Sequence, residues 1–291
     1  MTSNDQTRRV HLVGTVPADS TRHALGLVTN TVGDRVIDWL PDGETGVRSN
    51  WIGRLVENLK KHPDLEIIRD GDWSDYEETP AFKVRSGHHF ESVDLDYFEY
   101  FEESWPEFQK VRTELGRTDL SFQIGIPGPI DVAFAAFGFN PVSGFRRARP
   151  FEDATVRNIE RIHEIAGNEV VYQLEIPIEV EVMARIPGLV RGAGVKWLAG
   201  RVLRVIERSP ETTRWGFHLC VGDMNNKAFS HLDDTEPVVQ LSNALVSRFP
   251  KGRKLEFVHM PLAHGSIPPT TDEAFYAPLT NLQLPDGVRF V

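Results

Sequence analysis

The 291-residue chain contains one cysteine. A single thiol excludes an internal disulfide, suits a cytoplasmic setting, and limits any metal site built from this chain to one thiolate. Basic residues are also short, with 32 Lys and Arg against 42 Asp and Glu and a formal net charge of −10. That balance disfavours a nucleic-acid partner, which calls for basic patches, and an anionic membrane surface. Long apolar runs are missing as well. The opening stretch MTSNDQTRRVHLVG has no apolar core of the kind that a signal peptide or a membrane span requires. There is no repeat and no low-complexity tract. The composition, 40% hydrophobic and 25% charged, is that of a globular protein.

What is present is an alternation of short apolar runs with longer amphipathic ones. Strands are expected at 9–16, 36–40, 120–126, 170–175, 214–220, 254–260 and 287–291, with a further candidate at 65–69. Helices are expected from Ser20 to about Val32, from Trp51 to Lys61, from Phe151 to Ala166 after Pro150, from Val195 to Glu207 and from Glu236 to Arg248. Strand–helix alternation at this spacing implies a parallel sheet, and the strand count suits an α/β fold of the (β/α)8 TIM-barrel type spanning 1–291 as one domain. Residues 60–117 break the pattern and are read as an insertion after the second strand, part hairpin and part helix. Its aromatics Tyr97, Phe98, Tyr100, Phe101 and Trp105 would form a small core of their own or a lid. The chain ends on an expected strand with no covering helix, so its C-terminal end reads as short for such a barrel.

The chemistry concentrates in Trp215-Gly216-Phe217-His218-Leu219-Cys220-Val221-Gly222-Asp223. Side chains alternate along a strand, so His218 and Cys220 point the same way, and an imidazole with a thiolate at a strand end is half of a zinc site. Either residue could equally be an ordinary core side chain. His259 is the best third ligand, with His264 in reserve and Glu256 on the opposite face. Asp223 and Asn225 would orient the ligands or simply shape a turn. Adjacent His88 and His89 face opposite ways and make a poor pair. Gly14, Thr15, Glu44 and Glu175 fall at other strand ends, where barrels place their chemistry. Glu44 and Glu175 would hold a substrate ammonium group, or else be loop charges paired with Arg48 or Arg185. Zinc bound through a thiolate suits activation of a substrate thiol, whose pKa the metal lowers.

These residues together resemble the catalytic C-terminal barrel of cobalamin-independent methionine synthase and its short single-barrel relatives, in the superfamily shared with uroporphyrinogen decarboxylase. Val13-Gly14-Thr15 falls where the family has Ile-Gly-Ser, and Asp42-Gly43-Glu44 where it has His-Gly-Glu. Gly128-Pro129 is similar to its Gly-Pro turn, and Gln173-Leu174-Glu175-Ile176-Pro177 to its Gln-Ile-Asp-Glu-Pro. His218-Leu219-Cys220, continuing to Asn225, resembles the His-Met-Cys zinc motif and its following Asn. The family's third ligand is a Glu where this chain has His259, and its fourth is a cysteine near the C-terminus. The resemblance covers most of the chain except 60–115. It implies zinc-dependent methyl transfer to a small thiol or amino-acid-like substrate, with Gly14, Thr15, Glu44 and Glu175 binding that substrate and His218, Cys220 and His259 holding the metal. Two other readings remain open: a metal-free decarboxylase or lyase-like barrel with His218 as proton donor, and a degenerate barrel kept for binding.

Overall fold

The computed structural model describes residues 9–33, 36–229 and 231–291; residues 1–8, part of the stretch read above for leader character, lie outside it. The chain is mixed α/β, built around a six-stranded parallel sheet. In chain order the elements are α1 (Thr21–Val28), β1 (Trp39–Pro41), α2 (Trp51–Leu59), β2 (Leu65–Arg69), β3 (Ala81–Val84), α3 (Tyr97–Leu115), β4 (Ser121–Pro127), α4 (Pro129–Ala136) and α5 (Pro141–Ala166). They continue through β5 (Val170–Glu175), α6 (Pro177–Arg185), α7 (Gly188–Arg208), β6 (Arg214–His218), α8 (Glu236–Ser247), β7 (Lys254–His259), α9 (Glu273–Tyr276) and β8 (Arg289–Phe290). Among the described residues no helix is long and apolar enough to cross a membrane.

Local chemistry accounts for the boundaries. Ser20 caps α1 by accepting from the His23 N–H at 3.2 Å, one of the two caps expected. α5 begins ten residues before the expected start, because Asn140 accepts from Ser143 N–H at 3.0 Å and Pro141 occupies the first helical position. Pro150 lies inside that helix rather than opening it.

The sheet order is β1-β4-β5-β6-β7-β8. It curls until its two ends approach. The Arg289 guanidinium of β8 stands 4.6 Å from the Trp39 ring of β1, and Arg289 also bonds Asp38. Inside the curl, Trp39, Val171 and Phe257 pack with Val291; outside it, the helices bury the other faces of the strands. The expected strand at 9–16 does not form a ladder. Val10 N–H donates to Val36 O at 2.9 Å, but the carbonyls of Leu12 and Val13 are taken by side-chain amides of Gln123 and Gln173 at 2.7–3.0 Å. The segment is thereby hung across the mouth of the curl by glutamines instead of by a neighbouring strand.

Register places chemistry in rows. Pro127 aligns with Glu175, Glu175 with His218, and His218 with His259. One irregularity matters: between Trp215 and Gly216 the pairing jumps from Leu255 to Phe257, leaving Glu256 as the extra residue of a bulge. Leu255 therefore lies on the helix-covered side with Trp215, while Phe257 and His259 face the interior. Simple alternation would have put all three on one face.

The insertion is a hairpin of β2 and β3 followed by α3, as expected, but its aromatics do something else. Trp105 stacks between Phe101 and Phe108 at 5.4 Å each, and all three lie against Phe122 of β4. They are neither a separate core nor a lid. α3 is the crossover that covers the sheet between β1 and β4, and these rings are its buried face.

Candidate active site

The C-terminal ends of the strands open into a cleft of about 460 Å³. Glu175 and His218 line it, and His259 continues their register row behind His218. Nδ1 of His218 and Nδ1 of His259 meet at 2.5 Å, with one ring donating to the other, and the rings stack at 4.6 Å between centroids. His218 Nε2 lies 3.4 Å from Glu175 Oε2, and Gln173 donates to Glu175 Oε1 at 2.8 Å. A third imidazole, His11, stands 5.5 Å from the His259 ring and donates through Nε2 to Gln173 at 3.1 Å. Burial depresses all three histidines: His11 and His259 to about 4, and His218 well below its ordinary value, helped by the neighbouring rings. Burial thus favours the neutral form of all three imidazoles.

Glu44 enters from the loop after β1. Thr15 donates to its Oε2 at 2.5 Å, and its carboxylate lies over Gly14 and Gly125, where a side chain would stand 2.9 Å and 3.1 Å from Oε1. The same Gly125 faces Glu175. Glycine at these two positions is what lets two carboxylates share one end of the cleft. Burial raises Glu44 to about 7 and Glu175 well above the ordinary carboxylate range, each further raised by a nearby carboxylate. Neither is a salt-bridge partner of Arg48 or Arg185. Those arginines bond Asp42 and Glu181.

Cys220 lies two residues past the row and accepts from Gly222 N–H at 3.2 Å. Burial, with Glu175 nearby, pushes its thiol far up. A zinc ion prefers neutral imidazole and thiolate donors, so His218, His259 and Cys220 suit it in kind, and His218 and Cys220 line the cleft. Their donor atoms do not converge as a preformed cage. Among the described residues only Asp94, Asp96 and Glu99 bring three such atoms within 4.8 Å of one another, and they lie away from the cleft lining. His264 points elsewhere, accepting from Leu232 N–H at 3.2 Å. His88 binds Asp64 in the insertion, at 2.9 Å.

Asn225 does not orient His218 or Cys220. Its amide donates to the carbonyls of Trp73 and Ser74 at 2.8 and 3.2 Å. Tyr76 lies beside it, accepting from Met224 N–H and donating to Lys227 O, both at 3.1 Å, with its ring against Phe139 and Phe229. The hairpin loop is thus tied across the cleft to the loop after β6, and it supplies two aromatic walls, Trp73 and Tyr76. Asp131 of α4 is a further lining residue the sequence reading passed over. It is 5% exposed; its Oδ1 accepts from Ile178 N–H at 2.9 Å, and its Oδ2 has no partner. Burial and the neighbouring Glu179 hold it well above the usual carboxylate range. The available signal was a lone charge inside the apolar run Ile130–Ala136, as His11 is a lone polar ring between Val10 and Leu12.

No family model matches this chain, and no curated protein matches it. Among solved structures, a methyltransferase from Methanosarcina mazei superposes with a TM-score of 0.39 at 15% identity, covering 82% of this chain. The chain spans 61% of that protein's length. A Listeria monocytogenes protein, provisionally named vitamin-B12 independent methionine synthase, superposes with a TM-score of 0.48 at 11% identity, over 93% of this chain and 78% of its own. Both likenesses are too distant to assign chemistry.

Proposed function

We propose that this chain is a single (β/α)8-type barrel domain whose rim performs zinc-dependent alkyl transfer, methyl in the first instance, to a small thiol. The observation that carries the reading is the register row Glu175–His218–His259 with Cys220 just above it and Glu44 opposite. The sequence motifs around Gly14, Glu44, Glu175 and His218 support the same assignment. In this reading residues 9–16 stand along the open side of the curl, in the place of a barrel strand.

His218, Cys220 and His259 would hold the zinc, which when bound supplies a Lewis acid that lowers the pKa of a substrate thiol. The protein's own groups do the rest. Glu44 and Glu175 bind the substrate's ammonium group and fix its sulfur toward the rim. Thr15 and Gln173 hold those two carboxylates in place. The thiol proton passes to the carboxylate nearest the sulfur. The sulfur's electron pair then forms the S–C bond as the alkyl carbon's bond to its donor breaks, the bonding pair leaving with the donor. The aromatic loop walls exclude water from this exchange.

The test is metal content of the purified protein, wild type beside Cys220→Ser. Near-stoichiometric zinc that falls sharply in the variant is expected. Wild-type protein that holds no zinc after growth in zinc-supplemented medium would sink the metal mechanism. The close His218–Glu175 pair would then favour metal-free acid–base chemistry.

A further inference from the structure

The cleft lining is rich in acidic groups and holds no strongly basic one. It includes four carboxylates, Glu44, Asp131, Glu175 and Asp223, and neither a lysine nor an arginine. Among the described residues none of the four forms a salt bridge to either cation; Glu175 has only His218. Asp131 is the telling member. A helix N-terminus beside a pocket is where an anionic substrate group would be received, and α6 begins at the cleft with Pro177 and Ile178. Its first free N–H, that of Ile178, is already occupied by Asp131 Oδ1. The other oxygen of that buried carboxylate is left unpartnered. The N–H that would receive a substrate carboxylate is therefore already bonded, and the cleft lining supplies no lysine or arginine in its place.

The remaining walls suit a positive charge. Trp51, Trp73, Tyr76, Phe139 and Phe229 line the cleft, and aromatic faces attract ammonium groups. We propose that the group recognised in this cleft is a cationic amine that carries no carboxylate, so that the thiol acceptor is an aminothiol rather than an amino acid. The inference rests on the site assigned above for its thiol half only; the preference for an amine stands on the lining alone.

The experiment separates the two. Zinc-loaded protein is titrated calorimetrically with four small probes: cysteamine, propylamine, homocysteine and 3-mercaptopropionate. Cysteamine is expected to bind at least roughly tenfold tighter than homocysteine, and 3-mercaptopropionate not to bind, a tenfold ratio being about 1.4 kcal/mol. Propylamine matching cysteamine would keep the amine preference and remove the thiol reading. Binding of 3-mercaptopropionate without propylamine would keep the thiol reading and overturn the amine preference. Homocysteine equal to or tighter than cysteamine overturns it too, as does the absence of binding by every probe. Asp131→Asn retains the acceptor for Ile178 N–H and is expected to narrow the cysteamine-to-homocysteine ratio severalfold while leaving the zinc content unchanged. An unaltered ratio in that variant would also count against the proposal.

Discussion

Two buried carboxylates on strands of one sheet are treated in opposite ways. Glu256, near the N-terminal end of β7, is 5% exposed and meets Arg214 at 2.6 Å and Lys254 at 3.0 Å. Arg214 goes on to donate to Ser121 at 2.6 Å and to Asn168 O at 3.0 Å. Glu175, at the C-terminal end of β5, meets only an amide and an imidazole whose burial favours its neutral form. One end of the sheet neutralises its negative charge with cations of its own, and the other does not; under the proposed function the substrate's ammonium group would do so. The two carboxylates differ in whether the fold has already supplied a cationic partner.

The sharpest way to break that comparison is to remove each carboxylate. Glu256→Ala strands Arg214 in a largely buried setting and is expected to destabilise the fold by roughly 3 kcal/mol, read by urea denaturation. Glu175→Gln should change stability little, or raise it, because it removes an uncompensated buried acid; amine binding should fall by at least roughly tenfold. If the two variants lose stability equally, the contrast between the ends is wrong.

A smaller effect tests the titration of the upper end. Glu44 ordinarily ionises near 4.5 and is raised to about 7 by burial. The folded state therefore holds a proton that the unfolded chain has lost, and the stability this gives disappears as pH rises through about 7. Glu44→Gln cannot ionise, so it should be more stable than wild type at pH 8, on the order of 2 kcal/mol, and nearly equal at pH 5. Amine affinity of the wild type should climb over the same interval, since the ionised carboxylate is the better receptor; a flat pH profile would count against Glu44 as that receptor. Smallest of all, Tyr76→Phe removes both hydrogen bonds of the Tyr76 hydroxyl and leaves those of Asn225. It should weaken amine binding a few-fold with little change in stability, by roughly 1 kcal/mol or less.

Much of the sheet could be read from the sequence, because period-two apolar runs and helical stripes report burial directly. Five strands match expected runs closely, and β8 forms within the expected 287–291. The pairing of Glu175, His218 and His259 followed from their places at strand ends. Three features could not be read locally. Residues 9–16 have a strand's composition but lose their ladder to glutamines more than a hundred residues away, which no local pattern encodes. The α3 aromatics looked self-contained because the strand they cover, β4, comes later in the chain. Asp131 and Tyr76 reach the cleft from a helix and an insertion, and His11 reaches the histidine row from a non-strand segment, so no rule about strand ends selects them.

The bulge at Glu256 has a consequence for how this chain can vary. Because that residue stands outside the ladder, removing it would leave Phe257 and His259 in phase with Gly216 and His218, and the upper row would be preserved. Removing Val258 would instead carry the imidazole from the interior of the curl to the helix layer. A deletion in β7 at or before the bulge keeps the upper row in phase, and the residue that marks this limit is the one that anchors the opposite end.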